Sequence, residues 1–328
     1  MDTSEILQEN VEILKKLCKE GLLGNYRVKL SDIAIFLTNR CNNYCIMCHA
    51  CSKEYENHTY NNKTPFDLTL KQYKKIISPS NKVKWQIINR KKYNENIHFH
   101  FSSAESLLNP NIFEICKYTK ELYPNSIISL ISNGTIPPKN RNIVKYINRI
   151  GFSVDGCTDT TYNTLRTPAK LNHAINVIKK WDKAASAYND KFTFGFGVVL
   201  SSVNIHELSG IIKLASTFDH IDSIYVQPVI IHKSKKNLEY LLLNNIETSD
   251  FNKYIDEAKA ASVETGIRID GLKSIESTIA FDGGGYNSLF DYNKSRYCRY
   301  MSNGSISLTE TGSLRYLCCY MSSDKMRH

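Results

Sequence analysis

Four cysteines fall within eleven residues, at positions Cys41, Cys45, Cys48 and Cys51. In a reducing cytoplasm such a group indicates a metal or redox site, because thiols there are kept from forming disulfides. Thiolates are soft ligands that suit iron–sulfur clusters. The spacing Cys-x3-Cys-x2-Cys of the first three lets one short loop hold three irons of a [4Fe–4S] cube, which leaves the fourth iron open to a substrate-like ligand.

Two other metal sites stay open on these residues alone. Zinc bound by the four cysteines, with His49 nearby, is one, although structural zinc sites usually split their ligands into two pairs separated by a longer loop. A closed cluster is the other, with Cys51 on the fourth iron, which would make the protein a plain electron carrier. The rest of the chain has to decide among these sites.

The segments around the cysteines alternate between strand and helix patterns. An apolar run over residues 33–37 predicts a buried strand that leads directly into the cysteine loop. Further strands are predicted at residues 97–101, 127–132, 150–154, 192–200 and 221–227, and helices at residues 67–77, 111–122, 140–147, 171–187, 205–217 and 249–265. Repeated βα units predict a parallel sheet, because parallel neighbours need a crossover that a helix supplies. A barrel and an open doubly wound sheet both fit, and the cysteine loop is expected at the carboxyl rim, where parallel α/β folds keep their active sites.

Composition is that of an ordinary globular protein, with 328 residues of which 42% are hydrophobic and 23% charged. We read no signal peptide and no apolar run of about 18 residues, so we expect a cytoplasmic protein without a membrane partner. The formal charge of +10 favours an anionic partner or reflects a lysine-rich surface. Nucleic acid is not expected, because no interleaved aromatic and basic motif is present.

The cysteine spacing resembles the signature of the radical SAM superfamily. That resemblance implies a [4Fe–4S] cluster on Cys41, Cys45 and Cys48, whose open iron is chelated by the methionine end of S-adenosylmethionine (SAM). An electron from the cluster would cleave the sulfonium, and the resulting 5′-deoxyadenosyl radical would abstract hydrogen from a peptide, sugar or nucleotide-type substrate. The resemblance further implies an oxidoreductase or transferase, a flavodoxin or ferredoxin as reductant, and a partial (β/α)6 barrel over residues 28–282.

Three later segments resemble further motifs of the family, in the family's order. The Gly-Gly-Glu-Pro segment of the family corresponds to residues 103–106 here, where Glu105 is kept and small residues replace the glycines and the proline. By the resemblance, Glu105 accepts a hydrogen bond from the amino group of SAM, Ser153 and Asp155 lie near its ribose, and Arg166 lies near its carboxylate. The cofactor-binding residues implied in this way are Ser103, Ala104, Glu105, Ser132, Asn133, Ser153, Asp155 and Arg166.

Both ends of the chain are predicted to form separate segments, a helical one over residues 1–27 and a small module over residues 283–328. Cys298, Cys318 and Cys319 resemble the opening of a SPASM or twitch module, which implies a second iron–sulfur cluster. A four-iron cluster normally has four protein ligands, so the chain is truncated, the site is incomplete, or an upstream group completes it. A hairpin over residues 305–317 that carries no cluster is the alternative.

A second class of function stays open, a catalytically degenerate module that binds or senses through an iron–sulfur cluster. The altered glycine segment before Glu105 and the incomplete C-terminal cysteine set favour it. The intact three-cysteine loop favours an enzyme, since a protein without radical chemistry has no need of an open iron.

Overall fold

The computed structural model describes residues 32–48, 51–53, 64–77, 97–101, 104–189, 191–231, 236–272, 306–308 and 314–316. Its strands are β1 (Asp32–Ile35), β2 (His98–Phe101), β3 (Ile127–Ser132), β4 (Arg149–Ser153), β5 (Thr193–Leu200), β6 (Ile221–Pro228), β7 (Arg268–Asp270), β8 (Ile306–Leu308) and β9 (Leu314–Tyr316). Its α-helices are α1 (Leu70–Ile77), α2 (Ile112–Leu122), α3 (Asp159–Leu165), α4 (Leu171–Tyr188), α5 (Leu208–Ala215) and α6 (Thr248–Thr265).

The strands form one sheet in the order β7-β6-β5-β4-β3-β2-β1-β8-β9. Strands β1 to β7 pair in parallel with their sequence neighbours, which confirms the α/β class and the parallel sheet expected from the βα alternation. The sheet does not close on itself, because β7 pairs with β6 and β9 pairs with β8 at its two ends. The seventh parallel strand, at Arg268–Asp270, is one more than the six expected from the sequence, where three residues give too short a pattern to detect.

A layer of aromatic side chains joins one face of the sheet to the helices. Phe152 on β4 lies 6.3 Å from the ring of Trp181 on α4, and Phe101 on β2 lies 6.1 Å from the ring of Tyr73 on α1. All four side chains are fully buried. Truncating such a residue to alanine typically costs about 3–5 kcal/mol, so this layer fixes where the carboxyl ends of the strands lie.

Two predicted helices are shorter than the sequence pattern indicates. The segment predicted over residues 140–147 is a 3-10 helix at Arg141–Lys145, and Asn189 donates to the backbone oxygen of Val144 at 2.7 Å. The backbone N–H of Asn148, which would donate to this carbonyl in a continued helix, donates instead to the Ile128 carbonyl at 2.9 Å. The segment predicted over residues 205–217 begins as a 3-10 turn at Ile205–Glu207 and becomes helical only in α5.

The two short strands near the C-terminus pair with each other antiparallel, which confirms the two arms of the predicted hairpin. β8 also pairs in parallel with β1, so the hairpin extends the main sheet beyond its first strand. The N-terminal segment, the glycines at positions 283–285 and the cysteines at 298, 318 and 319 lie outside the described residues. In the part of the chain that is described, no helix has both the length and the apolar character needed to cross a bilayer.

Candidate functional site

The cysteine loop leaves the carboxyl end of β1 and is held on one side by residues 64–67. The Asn39 side chain accepts from the backbone N–H of Phe66 at 2.7 Å and donates to the Thr64 carbonyl at 3.0 Å. The Arg40 guanidinium binds Asp67 through two nitrogens, at 3.2 and 2.7 Å. A planar, two-pronged contact of this kind fixes orientation as well as distance, so the loop enters its first cysteine with a defined path.

The second half of the loop pairs with the chain that follows α3. The backbone N–H of Tyr44 donates to the Thr167 carbonyl at 2.6 Å, and that of Ile46 donates to the Leu165 carbonyl at 3.1 Å. These two bonds place Arg166 against Cys45, where its Nη1 lies 3.7 Å from the sulfur. The loop is therefore clamped from both sides by the protein itself.

An open cavity of about 330 Å³ lies against this loop. Cys41, Cys45 and Cys48 line it, which brings the three predicted cluster ligands to one place. Five of the predicted cofactor-binding residues also line it: Ala104, Ser132, Asn133, Ser153 and Arg166. The remaining wall is formed largely by the carboxyl ends of β5 and β6, through Val199, Gln227, Pro228, Val229 and Ile230. Ser103, another predicted cofactor-binding residue, lies outside the described part of the chain.

Glu105 is fully buried and does not line the cavity. Its carboxylate accepts from the backbone N–H groups of Asn133 at 2.7 Å and Leu107 at 3.2 Å, and from the Ser132 hydroxyl at 3.3 Å. Burial raises the pKa of this carboxyl to about 7, against the opposing effect of these donors. In this arrangement Glu105 ties the segment after β2 to the end of β3, just behind two cavity-lining residues.

Ala104 has a φ of 37° and is thereby in the left-handed region that glycine tolerates best. This is the segment in which the family motif carries glycines and this chain carries none. A non-glycine residue in such a conformation costs roughly 1–2 kcal/mol. Ala104 thus holds a backbone conformation that glycine would adopt without this cost.

A buried ion pair connects the cysteine loop to the ends of β4 and β5. The Arg166 Nε donates to Asp155 at 2.6 Å, and the other oxygen of Asp155 accepts from the backbone N–H of Val199 at 2.7 Å. The Asn204 side chain donates to the backbone oxygens of Asp155 and Val199, at 2.9 and 3.0 Å. Burial opposes the charge on Arg166. The Asp155 carboxylate, together with Cys45 and Tyr162, outweighs burial and raises the pKa of the guanidinium, so a fixed positive charge faces the Cys45 sulfur.

Every sulfur of the predicted ligand set has a hydrogen-bonding neighbour. The Cys41 sulfur accepts from the backbone N–H of Asn43 at 3.5 Å and lies 3.8 Å from the Asn133 amide nitrogen. The Cys45 sulfur faces Arg166, and the Cys48 side chain contacts that of Cys51. N–H groups around ligand sulfurs are a recurrent means of tuning iron–sulfur clusters.

The thiols themselves fit a soft cationic group. Burial raises the pKa of the Cys45 thiol to about 12, whereas a hydrogen bond from the Cys51 side chain lowers the pKa of Cys41. Coordination to a metal deprotonates a thiol outright, and the metal cation supplies the positive charge that stabilises the buried thiolate. Among the described residues, which leave out His49, no group of three or more Cys, His, Asp or Glu side chains is arranged to hold a single metal ion.

A family model described as the Radical SAM superfamily matches residues 35–215, which is more than half of the chain. The chain belongs to the radical SAM superfamily. Members of this superfamily are enzymes, and membership implies a [4Fe–4S] cluster and SAM. The three-thiol loop, the donors around its sulfurs and the adjoining cavity fit both groups.

The chain is also similar to individual proteins of known sequence or structure. MJ0907 of Methanocaldococcus jannaschii, an uncharacterized protein, is 26% identical over 234 residues, which cover 70% of this radical SAM chain and 71% of that protein. Streptococcus suis SuiB bound to S-adenosylmethionine matches with a TM-score of 0.61 at 13% identity, over 99% of this chain and 68% of that one. anSMEcpe with bound AdoMet and Cp18Cys peptide matches with a TM-score of 0.54 at 16% identity, over 89% and 74%. These likenesses confirm the partial radical SAM barrel expected from the sequence.

Several residues of the site carried no signal in the sequence analysis. Gln227, Val229 and Ile230 line the cavity, yet neither amide nor aliphatic side chains mark chemistry by type. Glu207 was also missed: it accepts from the backbone N–H of Cys157 at 2.7 Å and from the Thr161 hydroxyl at 2.6 Å, which fixes the turn after Asp155. The available signal was position, since residues just past the carboxyl end of each strand lie at the rim that holds the cysteines.

Proposed function

We propose that this protein is a radical SAM enzyme that holds a [4Fe–4S] cluster on Cys41, Cys45 and Cys48 and cleaves SAM reductively. When bound, the cluster supplies the electron that breaks the sulfonium, and the 5′-deoxyadenosyl radical then abstracts hydrogen from the substrate. The observation that carries the proposal is the convergence on one cavity of three thiols from one loop with residues from the ends of β2, β3 and β4.

The residues of the chain have distinct parts in this proposal. Arg166 and Asn133 stabilise the ligand thiolates through N–H donors, and Arg166 keeps further donors on the cavity side for the carboxylate of SAM. Ala104, Ser132 and Ser153 give a small, polar wall along which the cofactor lies. Asp155 acts through Arg166, since its carboxylate is fully buried and already holds the guanidinium.

A peptide is the substrate class that we propose. SuiB has been solved with its precursor peptide SuiA, at a TM-score of 0.56 and 14% identity to this chain, and anSMEcpe with the Cp18Cys peptide. The chain's own support is the cavity wall, where the side chains of Ile131 and Ile230 are 55% and 46% exposed. An apolar wall of this kind suits an aliphatic or aromatic side chain better than a sugar or a nucleotide phosphate. A flavodoxin or ferredoxin reductant belongs to the same proposal.

Anaerobic reconstitution with iron and sulfide, followed by dithionite and SAM, tests the chemistry. We expect 5′-deoxyadenosine by chromatography from the wild type and none from Cys41→Ala, Cys45→Ala or Cys48→Ala. Cys116→Ala is the matched control, because Cys116 is a buried cysteine of α2 that does not line the cavity. A loop variant that retains full cleavage would overturn the cluster assignment.

The electron spin resonance signal of the cluster distinguishes an enzyme from the degenerate binding module. If the wild type assembles a four-iron cluster whose electron spin resonance signal does not change when SAM is added, the enzyme proposal fails and the binding module takes its place.

Deuterated peptides test the substrate class, since hydrogen abstraction transfers deuterium into 5′-deoxyadenosine. Transfer from a deuterated sugar or nucleotide, and from no peptide, would overturn the peptide assignment alone.

A further inference from the structure

Cys51 is the one cysteine of the loop that the proposed cluster does not use. It is 4% exposed, and it is absent from the cavity wall that Cys41, Cys45 and Cys48 line. Its side chain is in hydrogen-bond contact with the side chains of Cys41 and Cys48. The fourth thiol is thus packed on the protein side of the ligand loop.

The local backbone explains this position. The backbone N–H of Ser52 donates to the Cys48 carbonyl at 3.1 Å. This bond brings Ser52 back to Cys48, so Cys51, the residue before Ser52, comes next to Cys48 as well. Nearby, the Lys53 ammonium lies 5.2 Å from the centre of the Tyr44 ring and joins the two ends of the loop.

The number of protons on the three sulfurs determines which of them donates the hydrogen bond. With a cluster in place, Cys41 and Cys48 are thiolates and have no hydrogen to give, so the S–H of Cys51 is the donor of this group. A ligand of the fourth iron would have to project into the cavity, because SAM approaches that iron from there. Cys51 does not line the cavity, which separates it from that role.

We propose that Cys51 is a buried S–H donor to the cluster ligands Cys41 and Cys48, and that it sets the reduction potential of the cluster without ligating it. The inference rests on the proposed function. A hydrogen bond to a ligand sulfur stabilises the more negative, reduced cluster, and therefore raises its potential. Three of the four cysteines hold iron, and the fourth makes that iron easier to reduce.

The test compares reconstituted wild type, Cys51→Ala, Cys51→Ser and the control Cys116→Ala, with no SAM or substrate present. Iron and sulfide are counted, and the midpoint potential is read from a redox titration followed by electron spin resonance. The signal of the loop cluster is the one that is missing from Cys45→Ala. We expect unchanged iron in all three variants, a potential shifted to more negative values in Cys51→Ala, an intermediate shift in Cys51→Ser, and no shift in Cys116→Ala.

Two results would overturn the inference. A Cys51→Ala protein with the wild-type potential shows that the thiol does not tune the cluster. Iron loss from Cys51→Ala, with iron retained in Cys51→Ser, shows a ligand role instead, since an oxygen ligand can replace sulfur there. Neither result depends on SAM cleavage, so failure of the proposed reaction and failure of the Cys51 assignment are read from separate experiments.

Discussion

The guanidinium of Arg166 lies 3.7 Å from the sulfur of Cys45 while its Nε is held by Asp155 at 2.6 Å. One side chain therefore links the cysteine loop to the end of β4, and both members of the ion pair are nearly or fully buried. The Arg166 guanidinium therefore acts on Cys45 in two ways: it fixes the position of the cysteine loop, and its positive charge stabilises a thiolate.

Removing Asp155 should destabilise the fold strongly. Loss of one partner from a buried ion pair typically costs about 3–5 kcal/mol, because the remaining charge stays in a low dielectric. We expect Asp155→Ala to lower the free energy of unfolding by that amount in urea titrations. Asp222→Ala is the matched control: its partner Arg149 lies at 2.6 Å, but both side chains are about a third exposed, so the cost should be about 1 kcal/mol or less. Equal losses in the two variants would contradict the buried role of Asp155.

Ala104 gives a test of backbone strain beside the cavity. Its φ of 37° is unfavourable for a side chain and most unfavourable for a β-branched one. Ala104→Val should therefore destabilise the protein by about 1–3 kcal/mol, and Ala104→Gly should lie within about 1 kcal/mol of the wild type, because relief of strain offsets the added freedom of the unfolded chain. Urea denaturation measures both, and a destabilising Ala104→Gly would show that the methyl group itself is needed.

Glu105 should make stability fall as pH rises. Burial raises the pKa of its carboxyl to about 7, above the value of about 4.3 in an unfolded chain. The folded state keeps the proton where the unfolded state has lost it, so the stabilisation is complete below about pH 4 and is lost as pH rises through about 7, by roughly 4 kcal/mol.

Urea titrations of wild type and Glu105→Gln at about pH 5 and about pH 8 measure this effect. The wild type should lose more stability between the two pH values than Glu105→Gln does. Glu114→Gln, on the exposed side of α2, controls for the loss of one carboxylate and should follow the wild type. A Glu105→Gln protein with the wild-type dependence on pH would assign the effect elsewhere.

Iron content tests the second cluster predicted on Cys298, Cys318 and Cys319. If these thiols hold a four-iron cluster, the reconstituted wild type contains about eight irons per chain and Cys298→Ala contains about four. A wild type with about four irons, unchanged in Cys298→Ala, leaves the hairpin without a cluster. Elemental analysis with sulfide quantification gives the count.

The sequence was most informative where one local signal settled the structure. The strand at Ile127–Ser132 was predicted with its exact bounds because a short, largely apolar run bounded by turn residues favours a strand. The three predicted ligand cysteines were picked out by their spacing within one loop, and the structure brings them to one cavity wall. Even the relation of β8 to β9 followed from a turn signal between two apolar runs.

The rest depended on contacts that no local pattern contains. Glu105 was expected to face the cofactor, and its burial behind Ser132 and Asn133 is set by how β2 and β3 pack together. Asp155 and Arg166 pair across α3, from just before the helix to just after it. Arg166 also contacts Cys45, which is 121 residues away in sequence, so no local pattern contains this contact. The direct contact of Glu105 with SAM stays a prediction.

The clamp on the cysteine loop has a consequence for how the protein acquires its metal. Tyr44 and Ile46 are bound to the chain after α3, and Asn39 is bound to residues 64 and 66, all through groups that involve no sulfur. A loop already ordered loses little conformational entropy when iron and sulfide arrive, unlike small metal domains that fold only around their ion. Assembly of a cluster on this loop would therefore have to order little further chain.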